Sequence, residues 1–180
     1  GVVYRARHAL LKRPTAIKLL LPERAGQAAV ERFEREVQLT ARLSHPNTVS
    51  VIDYGRTLDG VFYYVMELAD DIRRGQAIDP ADYAPRTLRD EWKTRGRLPA
   101  ADVVRAVLPI CAGLSHLHRN GLVHRDVKLS NVVFVNGVPK LADIGLVAAH
   151  GGRSYVGTDG YVAPEGPGAR GTGLTGGRIA

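Results

Sequence analysis

His124-Arg125-Asp126-Val127-Lys128-Leu129-Ser130-Asn131 places a carboxylate, an ammonium and an amide at fixed offsets in one short stretch. These side chains act together only if the chain between them is a tight loop held by regular elements on either side. The motif therefore constrains the fold as strongly as the chemistry. Phosphoryl transfer needs such a set: a base that orients a hydroxyl, a cation on the moving phosphate and an oxygen ligand for Mg²⁺. A second carboxylate follows in Asp143-Ile144-Gly145, and further on comes Ala163-Pro164-Glu165.

The flanking patterns supply the regular elements. Val2–His8 and Thr15–Leu20 are rich in β-forming residues and are separated by a Lys12-Arg13-Pro14 turn, which predicts two strands. Residues 24–43 predict a helix, with Val30, Phe33, Val37 and Thr40 at helical spacing. Pro46 in Ser44-His45-Pro46-Asn47 ends it, because proline cannot continue a helix. Two more strands are expected near 48–54 and 61–68. Residues 70–86 contain Pro80 and Pro85, lack periodicity and read as a long loop. Thr87-Leu88-Arg89-Asp90 resembles a capping box opening a short helix. Ala100–Asn120 is the clearest helix, with an apolar stripe of Val103, Val107, Ile110, Leu114 and Leu117. Asn136-Gly137 between apolar runs predicts a hairpin. The order is strands with one helix, then helices with one hairpin, an α+β arrangement of a β-rich small lobe and a helical large lobe.

The motifs together resemble the eukaryotic-type (Hanks-type) protein Ser/Thr kinase family, with a lean toward a bacterial member. The resemblance implies a bilobal kinase-like fold: residues 1–68 as small lobe with hinge, 69–165 as large lobe through the activation segment, and 166–180 as an aberrant Gly-rich tail. It covers Gly1 to Glu165. The helices that follow Ala-Pro-Glu in the family have no match, so the chain reads as a catalytic domain truncated there. The change at Gly166 is expected to reflect a frame-shifted or prematurely ended reading. Without those helices, Ala100–Asn120 is expected to expose apolar surface.

The resemblance also implies roles. Asp126 is the catalytic base, Lys128 meets the transferred phosphate, and Asn131 and Asp143 hold Mg²⁺. Lys18, in Ala16-Ile17-Lys18, pairs with ATP phosphates and is oriented by Glu36, with Glu31 and Glu34 as rival partners. Gly1 ends a Gly-rich loop. Val3 and Ala16 cover adenine from above and Val133 from below, with Met66 at the back. Backbone groups of Glu67 and Leu68 bond adenine at the hinge, and Asp70 or Asp71 is a candidate for the ribose. Thr158 bonds near Asp126 and Lys128, and Glu165 closes the activation segment. Ser154 and Tyr155 are its available hydroxyls for phosphorylation. Leu129 stands where the family has Pro, and Ile144 replaces the Phe of Asp-Phe-Gly.

Composition narrows the alternatives. The net charge of +7 is carried by scattered Lys and Arg without a dense block or aromatic interleaving, which speaks against nucleic acid. No apolar run suggests a bilayer span and no N-terminal leader pattern is visible. The single Cys111 excludes an internal disulfide framework and reads as a buried, inert thiol. No Cys/His cluster fits zinc; His45, His116 and His118 read as structural, and His124 as packing under Asp143. The expected cofactors are ATP and Mg²⁺, the partner a protein with a Ser or Thr acceptor, and the location cytoplasmic. A non-catalytic nucleotide-binding or scaffolding fragment and a small-molecule kinase are the rival functions.

Overall fold

The structure, a computed structural model, describes residues 2–20, 34, 37, 38, 41, 43–143, 148, 149, 158 and 161. Four strands form an antiparallel sheet: β1 (Val2–Arg7), β2 (Pro14–Leu20), β3 (Val51–Arg56) and β4 (Phe62–Glu67), in the order β1-β2-β4-β3. Register fixes which side chains share a face. Val3 lies opposite Lys18, Arg5 opposite Ala16, Ala16 opposite Met66, and Lys18 opposite Tyr64. Because side chains alternate along a strand, these six residues project from the same face. Residues 34, 37, 38 and 41 are helical, as expected for that segment. Val37 packs with Phe62 and Tyr64 into a small core flanked by Val51 and Met66.

The second half is built around two helices and a hairpin. Helix α1 (Leu88–Arg95) is capped by Thr87, whose hydroxyl accepts from the Asp90 N–H at 3.1 Å and donates to the Asp90 carboxylate at 2.7 Å. The capping-box pattern is thus met with the hydroxyl, not the Thr87 N–H, as partner of the acidic side chain. Helix α2 (Ala100–Arg119) runs through Pro109. Strand β5 (Leu122–Val123) pairs with β8 (Ala148–Ala149). Strands β6 (Val132–Val135) and β7 (Val138–Leu141) form the hairpin. Asn136 and Gly137 sit at φ 53° and 76°, the paired left-handed conformations a two-residue turn of this kind requires. Leu88, Ala106, Ile110, Leu117, Leu122, Val132, Phe134 and Leu141 make the larger core.

Helix α2 corrects three readings. Its buried face is Ala106, Ile110, Gly113 and Leu117, while Val103 and Val107 are exposed. At Gly113 this face meets the segment around Asn47. A Cβ at Gly113 would lie 2.9 Å from the Asn47 carbonyl oxygen. Cys111, about 100° around from Ile110, is exposed and not a buried thiol. By length and composition α2 is also apolar enough to cross a membrane. That overturns the reading that no such run exists. Here it serves as a core helix, with Val104 and Leu108 adding to the apolar surface it shows to solvent.

The two cores are joined by backbone. The Val49 N–H donates to the Leu141 carbonyl at 2.9 Å, and the Leu141 N–H to the Asn47 carbonyl at 2.8 Å. The expected loop at 70–86 is a folded structure. The buried Asp71 carboxylate accepts from the N–H groups of Arg73, Arg74 and Ala84 at 2.9, 2.8 and 2.9 Å. The Ala84 bond is the main cause holding its pKa below the ordinary carboxylate value.

Candidate active site

A cleft of about 440 Å³ lies between the sheet and the hairpin. The shared strand face supplies its roof: Val3, Arg5, Ala16, Lys18, Tyr64 and Met66. Val133 on β6 and Ala142 after β7 line it from the hairpin side, and Glu67, Leu68 and Ala69 form its edge between the lobes. Asn131 and Asp143 stand in the same lining. Residues expected from distant stretches of sequence thus meet in one cavity. Gly1, Glu36, Gly145, Ser154, Tyr155, Glu165 and the tail at 166–180 lie outside the described residues.

The His-Arg-Asp loop sits next to the cleft and is internally cross-linked. Asn131 donates through Nδ2 to the Asp126 carbonyl at 2.8 Å and to its carboxylate at 2.9 Å. The Lys128 ammonium donates to Asp126 Oδ2 at 2.7 Å and to Thr158 Oγ1 at 2.6 Å. The Thr158 hydroxyl donates to Asp126 Oδ1 at 2.7 Å. Burial would raise the Asp126 carboxyl, but the hydrogen bonds from Lys128, Thr158 and Asn131 outweigh it and hold the group below the ordinary range. Asp126 is therefore ionised, oriented and shielded at neutral pH. Leu129 at the family's proline position does not open the loop, since residues 129–131 form a 3₁₀ turn.

Behind this loop His124 is fully buried. Its Nε2 meets the Ala142 carbonyl at 2.9 Å, and Nδ1 accepts from the Asp126 N–H at 3.3 Å. Burial lowers its pKa, against the opposing pull of the Ala142 carbonyl and of Asp143 and Asp126. The ring is a neutral strut between Asp126 and the residue before Asp143. At the inner end of the cleft Lys18 is ion-paired with Asp143, whose backbone takes a left-handed φ of 62°.

Other side chains have duties that sequence did not disclose. The Glu67 N–H is committed to the Ser50 carbonyl at 3.2 Å. Its carboxylate accepts from the Ser50 N–H at 2.9 Å and from Lys140 at 2.9 and 2.8 Å. The Asp70 and Asp71 carboxylates are engaged by backbone N–H groups and stand outside the cleft lining. The Asp70 carboxylate caps the hairpin turn, accepting from the N–H groups of Asn136 at 2.8 Å and Gly137 at 2.7 Å, and Asp71 is spent inside its own loop. Val49, Tyr64, Ala69, Tyr83 and Ala142 line the cleft without having been expected there. Tyr64 was legible in principle, since it pairs directly with Lys18 across the sheet. Tyr83, in a loop without periodicity, carried no signal.

Comparison with known proteins places this fold and cleft in a family. The protein kinase domain family matches residues 1–173, running past Glu165 into the Gly-rich tail. The chain belongs to the protein kinase family. As a protein kinase domain it is similar to the serine/threonine-protein kinase PknL of Mycobacterium tuberculosis, 37% identical over 174 residues, which cover 92% of this chain and 40% of PknL. It is similar to PknB of Mycobacterium leprae, 33% identical over 175 residues (91% of this chain, 26% of PknB). It also resembles PrkC of Bacillus subtilis, 30% identical over 171 residues (91% of this chain, 24% of PrkC). The chain thus spans well under half the length of these bacterial relatives. Protein kinases use ATP with a divalent metal.

Proposed function

We propose that this kinase domain transfers the γ-phosphate of ATP to Ser or Thr hydroxyls of protein substrates. The closed triangle of Asp126, Lys128 and Thr158 carries the reading. It holds a base for the acceptor hydroxyl, a cation for the transferred phosphate and a threonine that fixes both. Asn131 spends its amide N–H groups on Asp126, which leaves its oxygen for a metal, with Asp143 as the second ligand. Mg²⁺ suits this pair, because it commonly takes one or two protein oxygens and completes its shell with water and substrate phosphates. Among the described residues no group of three or more His, Cys, Asp or Glu could hold a metal alone. When bound, the metal neutralises charge on the β- and γ-phosphates.

Lys18 is assigned to the ATP phosphates, with Glu36 as its orienting partner and Gly1 at the end of the phosphate loop. Val3 and Ala16 face adenine from one side and Val133 from the other, with Met66 at the back. With the Glu67 N–H engaged in the sheet, the hinge donor falls to Leu68 or Ala69. The small lobe is assigned to 1–68 and the large lobe to 69–165, with Glu165 closing the activation segment. ATP as phosphate donor implies the cytoplasm.

The test is transfer from γ-labelled Mg·ATP to a protein acceptor. Label should appear on Ser or Thr, and Asp126→Asn should lower kcat by about 10²–10⁴-fold with nucleotide affinity retained. Nucleotide binding by the wild type without any transfer would mark a non-catalytic domain. Label on a small metabolite alone would mark a different acceptor class.

A further inference from the structure

The edge of the cleft beyond Ala69 is built by the loop at 70–86, which contributes Tyr83 and Pro85 to the lining. That loop is fastened on three sides. Asp71 gathers three of its own N–H groups, the Tyr83 hydroxyl donates to the Ala69 carbonyl at 3.1 Å, and Arg5 on the roof strand donates to the Pro80 carbonyl at 3.4 Å. The wall is therefore preformed.

Its chemistry is unlike that of a sugar-reading edge. Among the described residues the carboxylates lining the cleft are Glu67 and Asp143. Glu67 is held by Lys140 and the Ser50 N–H, and Asp143 is paired with Lys18 at the phosphate end. Asp70 and Asp71 are consumed by backbone. The Thr87 hydroxyl is engaged in both directions by Asp90. Burial and the nearby Asp71 and Asp70 push the Tyr83 phenol up to about 12, so it remains a neutral donor whose proton is already given to Ala69.

We infer that Tyr83 is a binding residue that walls the ribose end of the nucleotide site by shape, and that the site accepts 2′-deoxyATP nearly as well as ATP. A site that hydrogen-bonds a substrate hydroxyl rejects the analogue lacking it, whereas an apolar wall discriminates weakly. A bond from a ribose hydroxyl to a carboxylate would contribute about tenfold or more in affinity. Among the described residues every carboxylate lining the cleft is already engaged, and Ser130 of the catalytic loop contributes only a neutral hydroxyl.

This inference rests on the reading of the cleft as an ATP site, and the experiment separates the two. Mg·ADP and Mg·2′-deoxyADP are titrated calorimetrically into the protein and its Tyr83→Ala and Tyr83→Phe variants, with thermal melts alongside. The wild type should bind the two nucleotides within about threefold of each other. Tyr83→Ala should weaken both by about tenfold with their ratio unchanged, and Tyr83→Phe should bind like the wild type. A wild-type preference for ADP above about tenfold would overturn the inference. So would a Tyr83→Ala variant that melts normally and binds both undiminished. If Tyr83→Ala fails to fold, the wild-type ratio and Tyr83→Phe still decide. Failure of the wild type to bind either nucleotide would remove the ATP-site reading itself, and this inference with it.

Discussion

The Lys140 ammonium meets both carboxylate oxygens of Glu67, at 2.9 and 2.8 Å, and so ties the last residue of β4 to the hairpin of the large lobe. The pair is mostly shielded, with side chains 12% and 25% exposed. Breaking a buried pair leaves an unpaired charge and costs more than losing a surface bridge. Lys140→Ala or Glu67→Ala should each destabilise by about 1–3 kcal/mol. The double variant should lose less than the sum, by about 1 kcal/mol or more. Urea unfolding of the four proteins measures the coupling; strict additivity would show that the lobes do not feel this contact.

Thr158 reaches both Asp126 and Lys128 with one hydroxyl. Thr158→Val keeps the volume and removes both bonds. Small displacements of positioned groups cost up to about a hundredfold in rate. Thr158→Val should therefore lower kcat by about ten- to a hundredfold with little change in nucleotide affinity, while Thr158→Ser should retain most of the rate. Steady-state phosphorylation kinetics would refute the bridge if Thr158→Val matched the wild type.

His124 predicts a pH dependence of stability. Its neutral ring is satisfied at both nitrogens, and a proton on Nδ1 would face the Asp126 N–H that now donates to it. Its folded pKa is lowered, so the unfolded chain binds the proton first. Stability from this group is full above the unfolded value of about 6.5 and falls as pH drops below it. The slope approaches about 1.4 kcal/mol per pH unit for one proton, until the folded group titrates. His45, lowered by burial and then by His116 and Arg119, adds in the same direction. Denaturation at stepped pH from 7.5 to 5 should show the loss, and His124→Gln should remove about one proton's slope. An unchanged slope in that variant would exclude the strut.

How much of this was legible in the sequence follows the distance over which each role is decided. Asp126, Lys128 and Asn131 are set within one loop, and the Asn136-Gly137 turn within two residues, so their spacing was informative. Lys18 was legible because strand alternation links it to Ala16. Asp70 was not, because its partners Asn136 and Gly137 lie 66 and 67 residues away. The exposure of Cys111 followed from which side of α2 packs into the core, a tertiary choice that favoured Ala106 and Gly113 over Val103 and Val107. Tyr83 owes its place to a loop folded around Asp71, and turn chemistry of that kind leaves no period to read.

Gly113 makes that tertiary choice measurable. Replacing a helical glycine by alanine normally gains about 1 kcal/mol. Here the new methyl would meet the Asn47 carbonyl oxygen at 2.9 Å, and overpacking of that kind costs about 1–3 kcal/mol. Gly113→Ala should be net destabilising by up to about 2 kcal/mol in thermal or urea unfolding. A more stable variant would mean that the Asn47 segment yields freely.

The sheet register has a consequence for tolerated change. Val3, Arg5, Ala16, Lys18, Tyr64 and Met66 reach the cleft only because β1, β2 and β4 are in one phase. A single inserted residue between Lys12 and Pro14 could be absorbed by sliding β2 one position. Most main-chain bonds would survive, yet Lys18 would turn to the outer face and Ile17 and Leu19 would turn inward. The strand can drift in composition on its outer side, but its length is frozen: an insertion or deletion there would leave a folded protein whose cleft has lost Lys18.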